Sequence, residues 1–484
     1  MAQYSTDILG QLGSALEENS LLKVANKKYK HSIKILEHEN VRLNARLDSQ
    51  AKQITELAAQ NILQSKLLEK LSDEIDRLRK HINTDSSNSS LPPSQDQKPN
   101  IFNSREKSGK KSGGQPGHKG HYLHKSDIEN QILQGLMKHK IVHHGQGADY
   151  ISKYTLDINV EIIATEHRFY GEIPFAFRPD VQYGNSIKTL ATLLVGRGIV
   201  ASNRIVELIS NITDNKIQLS DGSIYNWLHE FNAKAQPSIQ DIKTNLLNNA
   251  LLQVDETGTR CERKNMYTRN YSTENHVLYT LNPTKGKQAI QDDNILPRFA
   301  GTMMHDHNTV NYNYGTRHAE CNVHIDRYLK ANSENTKNKW SSELRTLLNS
   351  SNTTRKFAII YGLKEFNKAD LNLYQKRYDE ILTLGLIENK LTKSRYDKKE
   401  ELKLLRRLQK YKSNHLLYLE DFTVPFDNNL SERDLRTFKT KTKVSGCFRS
   451  LTAGRHFATL LSVIKTAIKQ KSSPYYAICG IFAG

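Results

Sequence analysis

The sequence predicts a multidomain α/β chain in which helix dominates. Three observations point there. A heptad repeat runs through residues 33–82, and a Ser/Pro-rich stretch ends it. Farther on, short β-type runs ending in carboxylates precede a long, charged helical stretch. At 484 residues the chain is long enough for more than one core.

The heptads come first. With Ile33 at position a, that position is filled by Ile33, Asn40, Leu47, Ile54, Asn61, Leu68, Ile75 and Ile82. Position d holds Leu36, Leu43, Gln50, Leu57, Gln64, Leu71 and Leu78. About seven heptads exceed the three or four that a coiled coil needs. Such a helix is roughly 75 Å long. Asn at two a positions fits a parallel dimer, because a buried amide pair sets the register. The alternative is a long helix packed on its own chain. The N-terminal helical region is therefore placed at 1–83, with the coil from about residue 31.

Residues 84–125 read as a linker. TDSSNSSLPPSQDQKPN has no apolar period, and SREKSGKKSGGQPGHKGHYLHK follows it, rich in glycine and basic groups. This second half carries Lys110, Lys111 and Lys119, and can lie along a phosphate backbone with its N–H groups turned to oxygens. A flexible basic linker is the alternative. His118, His121 and His124 have no thiolates beside them, so a metal is not indicated there.

Residues 126–184 contain runs such as TLDINVEIIATEHRFY and are expected to form a small β-containing module. The four cysteines, Cys261, Cys321, Cys447 and Cys479, form no CxxC pair, which excludes a disulfide framework and a cysteine-rich zinc knuckle. No zinc is expected. Residues 185–247 turn helical: SIKTLATLLVGRG, then NRIVELISNI with Ser202 as its cap, then DGSIYNWLHEFNAK capped by Ser220. Short helices joined by tight turns near basic residues suggest a helix-turn-helix, with a plain bundle as the alternative.

In residues 248–450, LLQV runs into Asp255, Glu256 and Thr257. MYTRNYS and HVLYTLNP alternate like antiparallel strands, KGKQAIQDD is helical, and GTMMHDHNTVNY holds a strand ending in Asp306. RHAECNVHIDRYLK reads as a helix. A charged helical insertion spans about 332–420, and VPFDNNLSERDLRTFKTKTK carries Glu432 early on a helix. Residues 451–484 close the chain with a helical segment. Carboxylates at strand ends, then a glutamate on a helix, suit an RNase H-like fold with a helical insertion.

The chemistry follows from residue type. Asp255, Asp306 and Glu432 are carboxylates from different elements, and convergent carboxylates hold hard cations, Mg2+ or Mn2+. Two such ions about 4 Å apart serve phosphoryl transfer. The bland alternative for each acid is a cap or a surface charge; Asp427 or Asn428 would cap the helix that carries Glu432. Arg433, Arg436, Lys439, Lys441, Lys443 and Arg449 follow closely. Arg436 and Lys439 share the helical face of Glu432 and read as phosphate contacts, against the alternative of a solvated basic face. Cys321 and His324 form a C-x-x-H read as structural, because two ligands do not make a metal site. His305 and His307 flank Asp306 and read as packing or DNA neighbours. A formal charge of +19 biases the chain toward a polyanion, most commonly nucleic acid. No long apolar run exists, so a membrane span is not expected and a cytoplasmic location is.

Longer strings carry a resemblance. NSSLPPSQ (88–95), GGQPGHKGH (113–121), VQYG (181–184), VDET (254–257), HAECNVH (318–324) and above all VPFDNNLSERDLRTFKTKTKVSGCFRS (424–450) resemble the insertion-sequence sixty-six family of bacterial transposases. The resemblance implies an RNase H-like fold and a catalytic triad of Asp255, Asp306 and Glu432. It implies hydrolysis of a phosphodiester at each element end, then attack of the freed 3′-hydroxyl on target DNA. Double-stranded DNA, small accessory proteins of the same element and a place on the bacterial nucleoid go with it; a homodimer or larger assembly is expected through the coiled coil. The chain departs from the family pattern twice. No cysteine lies between His121 and Gly184, where the family has pairs read as a zinc finger, and Tyr267 stands where a Trp is usual. The rival readings are a non-catalytic DNA-binding regulator or transposase relic, and a stand-alone metal nuclease.

Overall fold

The computed structural model describes residues 2–84, 89, 124–146, 149–174 and 181–484. GGQPGHKGH, nearly all of NSSLPPSQ, and Lys110, Lys111 and Lys119 lie outside the described residues. The chain divides into two units, Met1–Asn83 with Thr392–Glu400, and Thr84–Leu391 with Glu401–Gly484.

The first unit is built on one uninterrupted helix, α1 (Ala2–Asn83). Its heptad side chains stand open: Leu47 is 61% and Ile54 67% exposed. Residues 392–400 meet α1 through polar groups. Ser394 Oγ donates to Asp76 at 2.7 Å, Arg395 pairs with Glu69 and Asp73, and Lys80 lies over the Tyr396 ring. Leu71, Ile75 and Leu78 stay about half exposed beside them, so the apolar seam is left uncovered.

The second unit begins with α2 (Lys125–Leu133). No strand forms among the described residues of 126–184, which corrects the expected β-containing module. Among the described residues the alternating pattern pairs with no other strand, and apolar side chains in it such as Ile158 (89% exposed) face no core. Four helices follow: α3 (Asn185–Gly196), α4 (Ser202–Ile212), α5 (Asp221–Lys234) and α6 (Gln236–Leu247). Ser220 caps α5 as expected, its hydroxyl accepting from the Ser223 N–H at 3.1 Å. Ser202 does not cap α4: the helix starts on it, and Ala201 holds the cap position.

A five-stranded sheet runs in the order β3-β2-β1-β4-β5. Its strands are β1 (Leu251–Cys261), β2 (Lys264–Ser272), β3 (Val277–Asn282), β4 (Thr302–His305) and β5 (Arg317–Glu320). The first three are antiparallel, and β4 and β5 run parallel to β1. Glu262 and Arg263, both at positive φ, make the two-residue turn between β1 and β2, whose backbone twist matches the flanking strands. β5 corrects the helix expected over RHAECNVHIDRYLK. Its four residues pair with β4, Met304 opposite Ala319 and His305 opposite Glu320, and the helix begins only at Asn322.

The remaining helices are α7 (Lys287–Asp293), α8 (Asn322–Thr336), α9 (Lys339–Ile360), α10 (Lys368–Leu391), α11 (Arg395–Lys410), α12 (Lys412–Glu420), α13 (Asn429–Ser445), α14 (Leu451–Lys469) and α15 (Pro474–Ala483). Two cores result. In one, Trp227, Phe231 and Leu246 from α5 and α6 pack with Leu252, Tyr271 and Leu281 of the sheet and with Leu460 and Ile464 of α14. Gly196 lets α3 approach: a Cβ there would lie 2.5 Å from Ile464 Cδ1. In the other, Trp340, Tyr378, Leu408 and Tyr418 of the helical insertion enclose Met304 and Cys321 at the β4 end of the sheet. No helix of the described residues is long and apolar enough to cross a membrane.

Candidate active site

The register of the parallel strands sets the first two acids together. Gln253 lies opposite Met304, and continuing by two residues brings Asp255 opposite Asp306. Asp306 follows the last residue of β4, as expected for a strand end. Asp255 does not end its strand: β1 continues to Cys261 in the hairpin, and only its pairing with β4 stops at Gln253.

Glu432 arrives from the first turn of α13, and that turn is pinned on both sides of it. Asn270 donates to the Ser431 carbonyl at 2.9 Å, and Ser431 Oγ donates back to Asn270 Oδ1 at 2.9 Å. Asp434 accepts from Ser272 at 2.9 Å and pairs with Lys469 at 2.7 Å. Asn428 holds the N-cap position of α13, yet its side chain turns away from the helix, toward the acids. Its Nδ2 donates to the Val254 carbonyl at 2.9 Å and to Asp306 Oδ1 at 3.3 Å. The cap role expected of Asn428 is thus replaced by a bridge from β1 to Asp306, and Asp427 takes the Asn429 N–H at 3.0 Å.

The crowding shows in the electrostatics. Asp255 keeps some solvent contact but is packed round by the sheet and α13. Its burial and the neighbouring Asp306 push its carboxyl up to about 7; Glu432 adds to the rise, while Lys439 and the Glu256 N–H pull back.

A fourth and a fifth group join these acids. His324, in the first turn of α8, places Nδ1 3.4 Å from Asp306 Oδ1 and 4.0 Å from Glu432 Oε1. Cys321, at the α8 N-cap, accepts the Asn428 N–H on Sγ at 3.3 Å. Donor atoms of Asp306, Cys321, His324 and Glu432 all lie within 4.8 Å of one another. Burial works against a charged imidazolium at His324, but Asp306 and Cys321 outweigh it and lift the ring to about 11. Burial pushes the Cys321 thiol up. The C-x-x-H therefore reaches the carboxylates. Its local spacing showed two ligands only, because the other two come from positions 306 and 432.

The flanking histidines face elsewhere. His307, at φ 59°, meets Glu320 at 2.7 Å. His305 Nε2 lies 3.2 Å from His318 Nδ1, and burial together with His318 pushes His305 down to about 4. Of the basic residues after Glu432, Arg433, Arg436, Lys443 and Arg449 are exposed, whereas Lys439 and Lys441 are half-buried. Lys441 lies over the Phe457 ring, and burial lowers its ammonium. Arg436, Lys443 and Arg449 pair with no carboxylate among the described residues, which leaves them open to an anion.

Two family models match the chain. One, a family of unknown function (DUF6444), matches residues 30–124. No curated protein matches. The other is described as the Transposase IS66 family and matches residues 198–456, a span that takes in the sheet, Asp255, Asp306, the helical insertion, Glu432 and the start of α14. That span is more than half of the molecule, and the chain belongs to the IS66 family of transposases.

Proposed function

We propose that the chain cuts and joins DNA strands at the ends of an insertion sequence, with Asp255, Asp306 and Glu432 as its catalytic, metal-holding carboxylates. The observation that carries this is their convergence from β1, the end of β4 and α13, crowded enough to push Asp255 up to about 7. Oxygen donors of this kind fit Mg2+ or Mn2+. Divalent cations, two by this reading, held among the three would polarise the scissile phosphate and activate the attacking oxygen. Asn428 keeps Asp306 in place beside β1. Lys439, on the Glu432 face of α13, offers a cation to phosphate at the acids, and Arg436, Lys443 and Arg449 extend that charge outward. The strand order β3-β2-β1-β4-β5, three antiparallel and two parallel, supports an RNase H-like reading with the helical insertion between β5 and α13. In this reading α4 and α5, joined by residues 213–220, form the helix-turn-helix.

Asp255→Asn, Asp306→Asn and Glu432→Gln are each expected to bring Mg2+-dependent cleavage and joining to background while leaving DNA binding intact. An amide keeps the shape but loses the anionic ligand. Near-normal turnover in one variant would remove that residue from the set.

We also propose that α1 pairs two copies of the chain in parallel. The support is an exposed seam of Ile and Leu at heptad spacing, broken by Asn40 and Asn61. Deleting residues 31–83 should give a monomer or a weaker dimer by light scattering, able to bind one DNA end and poor at bringing two together. A deleted protein that remains a full-strength dimer would return α1 to the role of a helix packed on its own chain.

A further inference from the structure

The α8 side of the site holds more than carboxylates. Ligand atoms about 2.1 Å from one ion lie about 3–4 Å from each other. His324 Nδ1, at 3.4 Å from Asp306 Oδ1 and 4.0 Å from Glu432 Oε1, fits that spacing. His324 is only 8% exposed. Its Nδ1 and Glu432 Oε1 are both buried, and neither makes a hydrogen bond among the described residues. They stand 4.0 Å apart, at ion-pair distance and without a hydrogen bond, a spacing that one cation held by both would satisfy. Cys321 Sγ lies in the same cluster but already accepts the Asn428 N–H. Asp255 is not part of the cluster.

We propose that His324 binds the cation directly through Nδ1, together with Asp306 and Glu432, and so makes this position a nitrogen-and-oxygen site for a first-row transition ion such as Mn2+; this rests on the role proposed above for Asp306 and Glu432. Mg2+ takes oxygen ligands and sheds water reluctantly, so an imidazole gains it little. First-row transition ions accept a mixed nitrogen-and-oxygen set more readily than Mg2+, with affinity rising along the row from Mn2+ to Co2+ and beyond. Ligation through Nδ1 displaces to solvent the proton that Asp306 and Cys321 favour there in the metal-free ring, and leaves the other on Nε2, where the contact to Arg327 is long, 3.4 Å, and readily given up. The absence of cysteines from residues 126–184 bears on that segment alone; a transition ion carried by the purified chain would sit at His324, Asp306 and Glu432 instead.

The test uses the full chain, stripped of metal and loaded with one equivalent of Mn2+. Pulsed electron paramagnetic resonance should detect directly bound imidazole nitrogen in the wild type. His324→Gln should lose that coupling, while Asp255→Asn keeps it. Competition should show Mn2+ binding at least about tenfold more tightly than Mg2+ in the wild type, with the preference collapsing in His324→Gln. Mn2+ bound without nitrogen coupling in the wild type would overturn the direct ligand and leave the carboxylate reading standing. Coupling that persists in folded His324→Gln would do the same. No Mn2+ binding at all would overturn both. Because the wild-type spectrum decides the first point, a variant that fails to fold does not shelter the proposal.

Discussion

Two groups of acids lie at the β4–β5 side of the sheet in opposite surroundings. Glu320, the last residue of β5, is fully buried and saturated with partners: His307 at 2.7 Å, Arg407 at 2.7 Å, His415 at 3.4 Å, and the Tyr312 hydroxyl. Burial alone would raise its carboxyl, yet His307, His415 and Arg407 hold it well below the usual carboxylate range. Asp255, by contrast, faces Asp306 and Glu432, has the half-buried Lys439 as its main opposing cation, and is pushed up. Other buried acids follow the first pattern. Asp293 accepts from Tyr271 at 2.6 Å, Asn282 at 2.7 Å and Thr280 at 2.9 Å, and Glu401 accepts from Trp340 at 2.7 Å and from three asparagines. Acids that hold the fold are given donors. Asp255, at the candidate active site, has only the Glu256 N–H and a half-buried lysine to set against two neighbouring carboxylates, and its raised carboxyl is of the kind that gathers at functional sites.

The largest effect expected from this contrast is at Glu320. Its partners come from the loop after Asp306 (His307 and Tyr312), from α11 (Arg407) and from α12 (His415), so it ties the insertion to the segment that carries Asp306. Glu320→Ala would leave the half-buried Arg407 and the fully buried His415 without their carboxylate. Removing one partner of a buried pair costs about 3–5 kcal/mol. Urea denaturation should show a loss of that size, against less than about 1 kcal/mol for Asp306→Asn. The sign with pH is fixed by the depressed carboxyl: the stabilisation is full above the usual carboxylate range and fades as pH falls below it. A loss for Glu320→Ala no larger than that for Asp306→Asn would erase the distinction between the two groups of acids.

How much of this was legible in the sequence divides along the same line. Two apolar runs ending near aspartate allowed Asp255 and Asp306 to meet if their strands were neighbours, but the choice of these two and of Glu432 from among the acids came from the longer strings that resemble the transposase family. The β2–β3 alternation and the Ser220 cap were legible because each is set within a few residues of chain. β5 was not, since four residues at the sheet edge take their conformation from β4 and merge into the pattern of the helix behind them. The described residues of 134–174 show the reverse: their alternation is strand-like, yet they form no strand. His324 and Glu320 were illegible for one reason. The partners that define them stand at positions 306, 407, 415 and 432, and spacing along the chain carries no trace of who meets whom across it.

The second prediction takes the comparison to Asp255 itself. Its carboxyl ordinarily titrates near 3.8 and here near 7, so the folded protein binds a proton that the unfolded chain has already released. A raised carboxyl contributes nothing unfavourable below the unfolded value, and its cost grows as pH rises toward the folded one. In metal-free protein, Asp255→Asn removes that cost. The variant should therefore match the wild type near pH 4, gain stability between pH 4 and 7, and hold a constant advantage above. Because Asp255 keeps some solvent contact, the gain is discounted to on the order of 1–3 kcal/mol. Thermal unfolding across this pH range in chelator measures it. Saturating Mg2+ should shrink or reverse that advantage, since a cation stabilises most the protein that binds it most tightly, and the wild type offers it one more carboxylate. A wild type more stable than Asp255→Asn at pH 8 without metal would mean that Asp255 is satisfied by the fold as Glu320 is, and the acids at the candidate active site would lose the feature that sets them apart.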